Sequence, residues 1–78
     1  MNTYSKQQFV SELKTKCEFD YDILKISRWA HEVFLENCRY LEVGLQPFIM
    51  KVVTMQEGEE FELTKQQLLT EAEDLLKR

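Results

Sequence analysis

Glycine, proline, cysteine and histidine are nearly missing from this 78-residue chain, which holds two, one, two and one of them. Two glycines and one proline are too few to punctuate an all-β fold built from short strands and tight turns. A small secreted domain held by disulfides normally carries four cysteines or more, so Cys17 and Cys38 are expected as buried, reduced thiols. A lone histidine and two distant cysteines leave no zinc pattern, and no metal or other cofactor is expected. The longest apolar runs, Val33-Phe34-Leu35 and Phe48-Ile49-Met50, are far too short to cross a bilayer. The polar stretch from Met1 to Lys16 has no apolar core of a signal peptide, which points to the cytoplasm. Basic residues are absent between Lys51 and Lys65, yet Glu57, Glu59, Glu60 and Glu62 stand there. Those four carboxylates equal in number the whole formal net charge of −4.

What remains is ample for one packed domain. The chain is 44% hydrophobic with five phenylalanines, which argues against disorder. A domain of this size buries roughly 60% of its unfolded surface, so its stability margin is narrow. The acidic balance disfavours direct binding to DNA, RNA or an anionic membrane, because phosphate recognition needs clustered Lys and Arg.

Hydrophobic spacing predicts four helices. Leu68, Leu69, Ala72, Leu75 and Leu76 form one stripe over residues 65–77, with Thr64 as N-cap, Gln67 closing a capping box and Leu63 stapling to Leu68. Lys77 and Arg78 suit the negative pole of that helix. The same grammar opens a helix over residues 5–17: Ser5 caps, Gln8 closes the box, and Phe9, Leu13 and Cys17 follow at four-residue steps. Residues 21–42 predict the longest helix, capped by Asp20 and closed by Gly44, with Ile23, Ile26, Ala30, Val33, Phe34 and Leu41 on its apolar face. Asp22 with Lys25, Glu36 with Arg39, and Arg39 with Glu42 would pair on its wet side. Residues 46–56 keep helical spacing around Pro47, although Phe48, Ile49, Val52 and Val53 also suit a buried strand. A lone strand would have no partner elsewhere in the chain, which favours helix. The expected architecture is all-α, a small antiparallel four-helix bundle forming a single domain over residues 1–78, with its third helix innermost.

No assembled chemistry accompanies this frame. Cys38 lies seven positions beyond His31, about 10 Å of helical rise, so the two cannot form a nucleophile–base pair on one helix. His31 reads as a surface residue beside Glu32. Gly44 and Gly58 stand alone, without a phosphate-cradling loop, and the order of a calcium-binding loop is absent around the glutamates. An enzyme is not expected. Trp29, Tyr21 and Tyr40 are open to two readings, as core or boundary aromatics or as interface anchors. The acidic segment is likewise a solvated loop or a binding surface. Phe61 and Leu63, two apart, would face the core together in an extended strand and hold Glu60 and Glu62 outward.

The run Ile26-Ser-Arg-Trp-Ala-His-Glu32, then Gly58-Glu-Glu-Phe-Glu-Leu-Thr64 leading into a Leu-rich helix, resembles small acidic bacterial immunity proteins. These helical proteins protect cells from contact-dependent inhibition or bacteriocin toxins. The likeness covers most of the chain in size and architecture but matches no functional motif residue by residue. It implies a stoichiometric inhibitor of a toxin, commonly a basic nuclease whose cleft is blocked by acidic side chains. From the residues, the expected partner surface is Glu57, Glu59, Glu60, Phe61 and Glu62, with Trp29 and Tyr21 as further candidates. A helical oligomerisation or adaptor module, or a phage-type nucleic-acid mimic, would share much of this pattern.

Overall fold

The computed structural model describes residues 3–77. Four helices follow in order: α1 (Lys6–Phe19), α2 (Ile23–Asn37), α3 (Leu45–Thr54) and α4 (Lys65–Lys77). Two single 3₁₀ turns, Met55–Glu57 and Glu59–Phe61, join α3 to α4. Side chains tie the helices together: Ser27 of α2 meets Val52 of α3, Lys51 of α3 pairs with Glu71 of α4, and Lys14 of α1 faces Glu73 of α4. The expected all-α architecture is therefore the observed one. Arg78, expected to suit the negative end of α4, lies outside the described residues.

Local chemistry sets both capping boxes. Ser5 Oγ accepts from the Gln8 N–H at 3.1 Å while Gln8 Oε1 accepts from the Ser5 N–H at 2.9 Å. Thr64 and Gln67 repeat the exchange at 3.1 and 2.9 Å ahead of α4. Each box satisfies two N–H groups that the first turn of a helix leaves unpaired.

α2 departs from expectation at both ends. Its N-cap is Asp22, whose carboxylate accepts from the Leu24 and Lys25 N–H groups at 3.0 and 3.3 Å. Asp20 instead closes α1, which runs two residues past Cys17, and its carboxylate pairs with Lys25 at 3.2 Å. At the other end α2 stops at Asn37 rather than near Glu42. The segment beyond is drawn into pairing with the N-terminus: Tyr4 N–H donates to the Tyr40 carbonyl at 2.7 Å, and Glu42 N–H donates to the Tyr4 carbonyl at 3.0 Å. This parallel bridge between Tyr4 and Leu41 is a long-range contact. Glu42 also takes the Lys6 N–H at 2.9 Å and faces its ammonium at 3.9 Å, so it no longer serves Arg39. Cys38 consequently sits exposed past the end of α2, whereas Cys17 is buried as expected, and both are free thiols.

Gly44 does not terminate α2. It takes φ +90° as the residue before α3, where a side chain would be strained and would crowd Lys6 at 3.3 Å. α3 then begins at Leu45, with Pro47 in its first turn, where a missing N–H costs nothing.

The core lies where all four helices meet. Phe9, Leu13, Ile26, Leu45, Ile49, Val52, Met55 and Leu68 are each at most 1% exposed. Ser27 is the one buried polar residue among those described, and its hydroxyl donates to the Val52 carbonyl at 3.1 Å. With Ala30 also fully buried, small side chains on α2 allow α3 to approach closely.

Ile49→Ala is expected to cost about 2–5 kcal/mol through lost burial and a residual cavity. Gly44→Ala is expected to cost about 1–2 kcal/mol from its left-handed backbone. Urea melts check both as a lowered midpoint at unchanged slope.

Candidate functional site

The segment from Met55 to Thr64 connects α3 to α4 at the end of the bundle where α1 turns into α2. Its entry is fixed by Met55, which is fully buried, and its exit by the Thr64 capping box. Between them the backbone closes two short turns, Phe61 N–H donating to the Gly58 carbonyl at 3.0 Å and Glu62 N–H to Glu59 at 3.2 Å. Tyr21, arriving from the α1–α2 turn, donates its hydroxyl to the Leu63 carbonyl. One hydrogen bond thus ties the two connections at this end together.

Glu57, Glu59, Glu60 and Glu62 are all exposed, and none of the four forms an ion pair among the described residues. Phe61 stands among them, 47% exposed. The expected extended strand with Phe61 and Leu63 both inward is not what forms. A 3₁₀ turn rotates successive side chains by about 120°, so Leu63 packs against the core while Phe61 points outward beside Gly58. The carboxylates are therefore steadied by Met55, Leu63 and Tyr21, not by Phe61.

Trp29 and Tyr21 occupy different ground from the five segment residues. Trp29 is half-buried and stacks on Phe9 with ring centroids 4.9 Å apart at 19°, while the Lys16 ammonium lies 5.6 Å from its centroid. Phe9 covers one ring face, and with the ring only partly exposed little of the indole is left to meet a partner. Tyr21 is half-buried, and its hydroxyl is already engaged. Burial pushes its ionisation upward, with Cys17 and Glu62 nearby adding to the same direction. Burial also raises Cys17, partly opposed by Lys65 and reinforced by Glu18. Tyr4 is raised as well, by burial and then by its hydrogen bond to Glu12. Tyr40 and His31 lie exposed.

No group of three or more His, Cys, Asp or Glu among the described residues is placed to hold a metal ion. No helix among them is long and apolar enough to cross a membrane. One residue of this end was not singled out in the sequence: Phe19, 91% exposed at the last position of α1. Its signal was present, since it falls two positions after Cys17 and so leaves the Phe9–Leu13–Cys17 stripe. Comparison with protein-family models, curated proteins and solved structures gives no significant match to this chain.

Tyr21→Phe is expected to cost about 1 kcal/mol, the net value of one hydrogen bond, and to speed amide exchange in residues 59–63. The raised tyrosines and Cys17 also set an alkaline limit. Their protonated forms are favoured by the fold, so their contribution is intact below the ordinary values, about 8.5 for Cys and 10 for Tyr. It is lost as pH rises through the higher folded values, because only the unfolded chain ionises easily. Urea midpoints should hold to about pH 8.5 and then fall, and Tyr4→Phe with Tyr21→Phe should flatten the steeper decline above about pH 10.

Proposed function

We propose that this chain is a protein-binding inhibitor of the immunity or antitoxin kind, which holds a basic partner such as a toxic nuclease domain against Glu57, Glu59, Glu60, Phe61 and Glu62. The observation that carries this reading is the exposure of an aromatic ring among four carboxylates that lack ion pairs within the described chain, on a segment anchored at both ends. A nuclease cleft presents Lys and Arg to hold phosphates, and carboxylates on a short loop offer the same charge. Complementary fields accelerate encounter, while a desolvated aromatic slows release. A loop already fixed by Met55, Tyr21 and Thr64 loses little conformational freedom on binding. In this reading Tyr21 positions the segment while Trp29 packs on Phe9, and the cytoplasm is where such an inhibitor would meet its target. The other reading, a helical module that associates with itself, is favoured by Phe19 and Val43, which are 91% and 90% exposed.

The experiment is co-expression with the product of the neighbouring gene, followed by co-purification and kinetics of the captured pair. Replacing the four glutamates by glutamine should weaken capture about a hundredfold, since exposed charge pairs are each worth roughly 0.2–1 kcal/mol. Most of that loss should lie in the association rate and shrink at high salt. Phe61→Ala should act on dissociation instead. Unchanged affinity in the glutamine variant would remove the acidic segment from the mechanism.

A further inference from the structure

At the end of the bundle where Tyr21 meets Leu63, the last turn of α1 and the first turns of α2 form a groove of about 360 Å³ lined by Thr15, Lys16, Phe19, Asp20, Lys25 and Ile26. Its lining is mainly apolar, and Phe19 is almost wholly exposed over it. The charges at its rim are those of Lys16, Lys25 and Asp20, and Asp20 is already paired with Lys25 at 3.2 Å. Lys16 leans over Trp29 and forms no ion pair among the described residues. With Asp20 and Lys25 paired, the one rim charge left unpaired among the described residues is the Lys16 ammonium, and an apolar floor beside it disfavours the basic partner suited to the acidic segment. It fits a segment of opposite kind, an exposed aromatic flanked by carboxylates.

Such a segment is present on the chain itself, in Glu59-Glu60-Phe61-Glu62. It does not fill its own groove: Phe61 rests beside Gly58, on the connection between α3 and α4, whereas the groove lies between α1 and α2. We infer that two copies of this chain meet end to end about a twofold axis, each placing Phe61 in the other's groove with its glutamates toward Lys16 and Lys25. Because groove and segment share one end of the bundle, one rotation satisfies both contacts, and the pair closes without forming a filament. The occupant is fixed by charge complementarity, and the contact is small. A weak, reversible dimer follows, in which the carboxylates and Phe61 are covered until a basic partner competes for them.

Sedimentation equilibrium of the full chain, from dilute to concentrated, tests this. The apparent mass should climb from 9.4 kDa toward twice that value. Phe19→Ser, Phe61→Ala and Lys16→Glu should each raise the dissociation constant at least tenfold. Phe19 and Phe61 are exposed enough that these variants keep the helical circular dichroism of the parent. An equimolar mixture of Phe19→Ser and Phe61→Ala should associate more tightly than either alone, since it regains one whole contact. A monomer at every concentration, a dimer indifferent to these substitutions, or a mixture no tighter than its components would each overturn the inference. Lys16→Glu separates it from the inhibitor reading: it should weaken self-association at least tenfold while leaving capture of the basic partner intact, whereas Phe61→Ala impairs both.

Discussion

The ring of Phe9 holds three of the four helices in one place. Fully buried on α1, it stacks on Trp29 of α2 and meets Phe48 of α3 edge-on, with centroids 5.8 Å apart in the second pair. Each such aromatic pair is worth roughly 0.5–1.5 kcal/mol beyond the area it buries. In a domain whose net stability is of the order of 5–15 kcal/mol, that is a substantial share. The position also sets direction. With α1 fixed against α2 and α3 at Phe9, Leu13 and Cys17 run down to the far end, where the chain turns and delivers Tyr21 to Leu63. The geometry of the acidic segment is thus inherited from a contact near the opposite end of α1.

Features decided within one turn of backbone were legible in the sequence, and those decided by distant partners were not. Ser5 with Gln8 and Thr64 with Gln67 form as read, because a capping box needs only four consecutive residues. Asp20 and Asp22 are equally good caps by composition. The choice between them depends on how far α1 extends, and α1 gains two further residues before Asp20 closes it. The early end of α2 has no local cause in its spacing. Residues 40–42 leave the helix to pair with Tyr4, some 36 positions away, and no periodicity reports such a contact. Cys38 is exposed for the same reason.

The candidate site shows the same division. Its charge and its limits were readable, since Glu57 to Glu62 lie between a buried Met55 and a capping box. The side to which Phe61 turns was not. Alternation by two holds in a strand, and a strand here would have needed a partner along its edge. Lacking one, the backbone satisfies itself locally through the Gly58–Phe61 and Glu59–Glu62 hydrogen bonds. That choice sends Phe61 outward and leaves Leu63 to take the core position and the bond from Tyr21. A loop expected to be pinned by its aromatic instead displays it.

The placement of charge sharpens what that display can mean. Asp20, Glu42, Glu71 and Glu73 face lysines, Asp22 caps α2, and Glu12 accepts from Tyr4. Glu18, Glu32, Glu36 and Asp74 have no ion pair among the described residues, but they are scattered over three helices. Only at Glu57 to Glu62 do such carboxylates crowd within six residues. Like charges held that close repel one another, and water and salt screen the repulsion only in part. A flexible loop would relieve it by spreading; Met55, Tyr21 and the Thr64 cap prevent that. The four charges therefore stay on one short segment in the free protein, placed to be neutralised together when a cation, or a surface of cations, is brought against them. A rigid cluster of this kind favours association more than the same four charges would on a disordered tail.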